Sequence, residues 1–173
     1  LNIGQALTEL GKNVVLVDAN LVTPNLAIQL GYMNPEGTLN KFLRREKSLK
    51  EVIYQHECGL SLIPSSPSYT EYRNTDHSKI VKVFERLDDA ADFVLVDAPS
   101  GLGSEVQEVL KHSDEAIVVV NPTVSSVMDA LKTIEVAKEN NNTITGIVLN
   151  MSHRGRFELQ PDEVEKILGY HII

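Results

Sequence analysis

Apolar residues fall along the chain in two alternating patterns. The runs at 14–17 and 93–96 are short, continuous and rich in branched side chains, which predicts parallel strands buried on both faces. Runs at 60–63, 116–120 and 144–149 predict three further strands. Between them, apolar residues recur at helical spacing. Ile3, Ala6, Leu7 and Leu10 form one such stripe, closed by Gly11, and residues 26–30 form a short one closed by Gly31. After the turn Asn34-Pro35-Glu36-Gly37, Thr38 caps a helix carrying Leu39, Phe42 and Leu43, and Ser48 caps another through Val52 and Ile53. Ile80, Val81, Phe84 and Leu87 make an amphipathic helix, as do Val106, Val109 and Leu110 within 104–112. Thr123 caps a long helix bearing Val127, Leu131, Ile134 and Ala137, which the Asn140-Asn141-Asn142 run ends. Pro161 opens the last helix, with Val164, Ile167 and Leu168, and Gly169 stops it. Residues 19–25 and 64–68 read as irregular loop, 69–76 as polar surface loop, and the segment with Arg154 and Arg156 as a charged loop. Ile172-Ile173 begins another strand. Such alternation predicts an α/β fold, a mostly parallel sheet with helices on both faces.

Composition narrows the function. The 173 residues suit one domain with a real core and show neither an internal repeat nor a linker. A formal net charge of −8 argues against direct nucleic-acid binding. Arg44, Arg45, Lys47 and Lys50 cluster, and are read as a solvated helical face. Cys58 is the single cysteine, so no internal disulfide can form, which matches a cytoplasmic location. His56 lies two residues from it, but the other histidines are scattered, giving a zinc site little support. No apolar run approaches membrane-spanning length.

Two strands end on an acid. The 93–96 run closes at Asp97 and breaks into Ala98-Pro99-Ser100-Gly101, and the 14–17 run closes at Asp18. A carboxylate at the carboxyl end of a buried strand, followed by a glycine turn, sits where open α/β sheets bind ligands. Magnesium-bound phosphate suits it: the acid holds the ion's water shell and backbone N–H groups face the terminal phosphate. The competing reading is a strand that ends on a solvated Asp, and the repetition at Asp18 weighs against it.

The order VVLVDANLVTPNL, DFVLVDAPSGLG, VVVNPTVSSVMDALKT and GIVLNMS resembles the MinD/ParA family of P-loop ATPases, in particular its archaeal MinD-like branch, over essentially the whole chain. The resemblance implies a P-loop NTPase-like fold with ATP and Mg2+ as ligands. Leu1 to Gly4 would belong to the helix after the phosphate loop, and a KGGxGKT loop would lie just before Leu1. The expectation is therefore a single incomplete domain over 1–173, lacking its first strand, which is central in the family's sheet, and its C-terminal portion. Unpaired strand edges would follow.

By the same resemblance, Asp97 would support magnesium through water, Gly101 would offer its N–H near the γ-phosphate, and Asp18 would begin the first switch. Asn150 would read the adenine edge, since an amide both donates and accepts, and Pro122 would shape the loop near the base. Asn20 departs from the family's DxD pattern, in which a second acid positions the attacking water. An amide can orient water but cannot accept its proton, which implies slow turnover. Plainer readings stand beside these: Asn150 as a strand end, Asn20 and Asn25 as turn residues, Ser125-Ser126 as helix caps. The implied activity is an ATP-binding and hydrolysing dimerisation switch for division-site placement or partitioning. It would form a homodimer on ATP binding, meet a regulatory protein, and touch a membrane surface through a C-terminal helix beyond the chain. Alternatives are a ParA-type segregation ATPase, marked by basic residues on the assembled dimer, and a non-hydrolysing adaptor. A tyrosine-kinase-like relative would need a tyrosine-rich tail, and this sequence shows none. The 173-residue chain alone is expected to release no measurable phosphate from ATP in a colorimetric assay, because the loop lysine and its glycine cradle supply most phosphate contacts; turnover by the chain alone would refute that.

Overall fold

The computed structural model describes residues 1–88, 90–153 and 155–173, so Arg154 of the expected charged loop lies outside the described residues. They cluster into two units, Leu1–Ser100 and Gly101–Ile173.

In the first unit α1 (Asn2–Glu9) leads through Gly11, at φ 80°, into β1 (Val14–Asp18), whose five residues are all buried. There follow α2 (Leu26–Gln29), α3 (Leu39–Leu43), α4 (Leu49–Val52), β2 (Tyr54–Gln55), β3 (Ser61–Ile63), α5 (Tyr69–Arg73), a 3-10 turn at His77–Ile80, α6 (Val81–Leu87) and β4 (Phe93–Asp97). The sheet runs β2-β3-β1-β4, with β1 parallel to both β3 and β4 and only β2 antiparallel. The expected caps are in place. The Thr38 hydroxyl accepts from Lys41 N–H at 3.4 Å, and Ser48 and Glu51 form a reciprocal capping box. Val14, Leu16, Leu26, Ala27, Leu60 and Leu62 form a core cluster against which Leu7 of α1 and Leu95 of β4 pack.

The second unit contains α7 (Ser104–Lys111), β5 (Glu115–Val120), α8 (Val124–Glu139), β6 (Thr143–Leu149) and α9 (Pro161–Leu168). β5 and β6 are parallel, and Val120, Val127, Ile134, Ile147 and Val164 lie in the core they share with α8 and α9. Ile172 bridges Ile147 in parallel, the start of the further strand read from the sequence. A Cβ on Gly146 would lie 2.6 Å from Ile173 Cγ2, so only glycine lets this tail pack close to β6.

Three expectations need correction, and one strand, β2, was not foreseen. Residues 69–73 are helical, not surface loop; α5 buries none of its side chains, so it carries no apolar stripe, and its visible sign was Ser68, whose hydroxyl accepts from Glu71 N–H. β2 has two residues and owes its existence to pairing with β3, too short to leave a periodic signal. β4 is not buried on both faces. Among the described residues its one strand neighbour is β1, so Phe93 stays 42% exposed and 94–96 are half-buried. Arg44 is not on a solvated face: Nε and Nη2 bond Glu46 at 2.6 and 2.9 Å, while Nη1 bonds the Glu71 carbonyl and Thr75 Oγ1.

Gly37 shows how tightly the turn before α3 meets α4. Its N–H donates to the Tyr54 hydroxyl at 2.7 Å, and an added Cβ would lie 2.0 Å from the Glu51 carbonyl oxygen. Gly37→Ala is expected to lower the unfolding free energy by about 3 kcal/mol, since the opposing atom is backbone. Urea denaturation measures this, and a loss below about 1 kcal/mol would mean that the turn can move away from α4.

Candidate functional site

β1 and β4 carry the acids. The register sets Asp18 opposite Asp97 on adjacent parallel strands, so both side chains leave the same face of the sheet at its carboxyl end. The Ala19 N–H donates to the Asp97 carbonyl at 3.0 Å and continues the ladder one step past the rim.

Asp18 is fully buried. Its Oδ2 accepts from the N–H groups of Asn25 and Leu26, each at 3.2 Å, and its Oδ1 from Asn20 N–H at 3.3 Å. The loop 19–25 is thus hung on one carboxylate, which also satisfies amide groups at the start of α2 that no intrahelical carbonyl can reach. From the opposite side Ser65 Oγ donates to the Asp18 carbonyl at 2.5 Å. Burial pushes the Asp18 carboxyl up to about 6, against the bond from Leu26 and with the neighbouring charge of Asp97. Asp97 reaches solvent, yet its carboxyl is also raised, because the strand end around it removes part of its water.

Asn20 is occupied locally. Its Oδ1 accepts from Thr23 N–H and its Nδ2 donates to Thr23 Oγ1, both at 3.0 Å, a local side-chain-to-backbone bond three residues on that shapes the loop. Gly101 opens the second unit at φ 92°, a left-handed conformation suited to glycine, with nothing within 4 Å of where a Cβ would stand. Pro122 is buried and its carbonyl accepts from Leu159 N–H at 2.9 Å. Asn150 is exposed at the end of β6, its N–H on the Val120 carbonyl at 2.8 Å. These two residues therefore flank the carboxyl end of the β5–β6 pair, and no described residue bonds the Asn150 side-chain amide. The cap is Thr123, whose Oγ1 accepts from Ser126 N–H, while Ser125 and Ser126 lie within α8 and the Ser126 hydroxyl accepts from Asn121 N–H. His56 Nδ1 lies 3.0 Å from Cys58 Sγ, and among the described residues no three His, Cys, Asp or Glu side chains converge to hold a metal.

Sequence reasoning missed Ser65 and the amides of Asn25 and Leu26. Any non-proline residue offers an N–H, so residue type could not reveal the latter; a polar pair inside an irregular stretch was the only hint of the former.

Divalent magnesium takes hard oxygen ligands. Asp97 fits that requirement, with a solvent-reaching carboxylate, and the ion pairs of the described residues lie elsewhere. Asp18 does not fit as a direct ligand, because three N–H groups already close around it. Two like charges on adjacent strands would also be eased by a cation at Asp97.

A mostly parallel α/β sheet flanked by helices, with acids side by side at its carboxyl rim, has the architecture of the P-loop NTPases. The chain belongs to the ParA family: residues 1–164 match it, under the description NUBPL iron-transfer P-loop NTPase. It is similar to an uncharacterized ATP-binding protein of Methanocaldococcus jannaschii, 32% identical over 172 residues that cover 99% of this chain and 65% of that protein. It is also similar to the iron-sulfur cluster carrier protein of the same organism, 31% identical over 159 residues, 88% of this chain and 54% of the carrier. The chain thus spans less than two thirds of the length of these relatives. Among solved structures, the septum site-determining protein MinD of Pyrococcus horikoshii, complexed with Mg-ADP, superposes with a TM-score of 0.93 at 28% identity, covering 99% of this chain and 71% of that one.

The titration of Asp18 has a defined sign. Its folded carboxyl, near about 6, lies above the ordinary 3.8, so the fold favours the protonated form. That stabilisation is complete below about pH 4 and is lost as pH rises through about 6, a change of about 3 kcal/mol. Asp18→Asn should therefore flatten the fall in urea stability between pH 4 and 6. An unchanged slope would show that the carboxyl is not buried in this way.

Proposed function

We propose that this chain forms the body of a MinD-like switch that binds and hydrolyses ATP, dimerises in response, and organises position in the cell, as in division-site placement or partitioning. The observation that carries this reading is the in-register pair Asp18 and Asp97, with the loop 19–25 hung on the first and the second reaching solvent. In this role Asp97 holds the water shell of Mg2+, and the bound Mg-ATP supplies the phosphoanhydride whose cleavage resets the switch. Gly101 offers its N–H toward the terminal phosphate, Asn150 reads the adenine edge, and Pro122 shapes the loop beside it. Asn20 orients the attacking water, and Asp18 ties the loop that must respond to it. A second copy of the chain is the partner in dimerisation, and a regulatory protein sets the turnover. The switch acts in the cytoplasm, with a peripheral membrane contact made outside these residues.

A second reading, a module that binds but does not hydrolyse, draws on one observation: both ends of the Asn20 amide are engaged by Thr23. Iron transfer, named in the family description, finds less support here. The chain has one cysteine, so an iron–sulfur cargo would need thiolates from elsewhere.

The test uses the full-length protein that carries this chain. Mg-ATP should convert monomer to dimer in light scattering, and Asp97→Asn should weaken Mg-dependent ATP binding at least about tenfold with thermal stability retained. Asn20→Asp should change the ATP turnover rate; an unchanged rate removes its role. Dimerisation without turnover selects the second reading, and an absence of both sinks the two together.

A further inference from the structure

Away from the acids, the first unit has an open hollow of about 390 Å³ lined by Tyr32, Met33, Asn34, Pro35, Glu36 and Tyr54. Its two aromatic rings are fixed by their hydroxyls. Tyr32 donates to the Gln55 carbonyl at 3.1 Å, and the Tyr54 hydroxyl accepts from Gly37 N–H at 2.7 Å. With their hydroxyl ends anchored in this way, the rings stand 5.2 Å apart at 53°. Glu36 lines the same hollow, and its carboxylate has no ion pair among the described residues. Lys41 Nζ donates to the Glu36 backbone carbonyl at 2.8 Å and lies 3.9 Å from Glu71 Oε1, so the ammonium beside Glu36 pairs with a different carboxylate.

We propose that this hollow receives a basic side chain, lysine or arginine, presented by a partner protein. Aromatic faces attract a cation through their negative quadrupole, and a free carboxylate beside them selects positive charge over a neutral group of the same shape. Rings already anchored at their hydroxyls need less ordering when the ligand arrives. The hollow opens to solvent and is flanked by Met33, 74% exposed, and Ile28, 51% exposed. An enclosed pocket would suit a free small molecule, whereas an open one with an apolar margin suits a residue on a larger surface. The net charge of −8 draws a basic partner from a distance. The proposal is independent of the nucleotide reading, because neither Asp18 nor Asp97 lines the hollow.

The test is an NMR titration of the protein without nucleotide, following the Tyr32 and Tyr54 rings and the Met33 methyl group. Probes are the acetylated amides of arginine and lysine, the neutral Nε-acetyl-lysine counterpart, and butylammonium. The two charged amides should shift these signals and saturate in the millimolar range, while the neutral one should leave them unmoved. Glu36→Gln should weaken the binding about fivefold and Tyr54→Leu about tenfold, each with an unchanged thermal midpoint or, where the midpoint drops, with other methyl signals in place. No shift with the charged amides overturns the proposal, as does equal binding of the neutral probe. Butylammonium, which is the lysine side chain without its backbone, should bind about as well as the lysine amide; amide binding without butylammonium binding would overturn the side-chain assignment.

Discussion

Burying the carboxylate of Asp18 is the constraint on which the rim of the first sheet depends. A charged group taken out of water needs hydrogen bonds to replace its solvation, and among the described residues no side-chain cation provides them. Backbone amides do so instead, from Asn20, Asn25 and Leu26. To bring three amides to one carboxylate, the chain must double back over residues 19–25 and start α2 where it does. The remaining desolvation shows in the raised titration of the group. The result is a loop whose position is tied to one carboxylate.

The opposite wall of the rim rests on buried polar groups. Ser65 fixes the carbonyl of Asp18, and next to it Ser66 N–H donates to Asn40 Oδ1 at 2.8 Å. The Asn40 amide in turn reaches Thr75 Oγ1 at 3.2 Å, and Thr75 is bonded by Arg44. Asn40 is fully buried and satisfied at both ends, so the loop 64–68 is fastened to α3 and to the turn after α5. This explains why an irregular, serine-rich stretch lies inside the molecule with 64–66 buried: its backbone groups have partners other than water. The second unit uses the same device at Asn142. Asn142 donates to the carbonyls of Leu110 and Ser113, joining the end of α7 to the residue before β6, while its buried Oδ1 has no partner among the described residues.

Local signals were strong wherever one residue type has one conformational use. Gly11, Gly31 and Gly169 adopt positive φ at helix ends, Thr38 and Ser48 cap helices, and Pro161 opens α9. The two acids stood out because a carboxylate ending an apolar run is informative, and the order of the four motifs pointed to the family. The failures share a physical origin. α5 has no buried face and β2 has only two residues, so neither carries a period that sequence could show. Arg44 looked like a surface charge because its partners Glu71 and Thr75 are distant in sequence.

The sequence by itself determined the alternation of strand and helix, their punctuation, and the presence of an acid at the end of two strands, because these follow from side-chain polarity and backbone freedom within a few residues. Tertiary structure alone decided that Asp18 is enclosed and Asp97 open, though both end similar strands. The difference lies in what folds over each: a returning loop with three donors in one case, and solvent in the other. It decided also that Tyr32 and Tyr54, 22 residues apart, pin each other's surroundings into a hollow. Hydrogen bonding and burial between distant segments have no local signature, and they only become defined when the chain closes on itself.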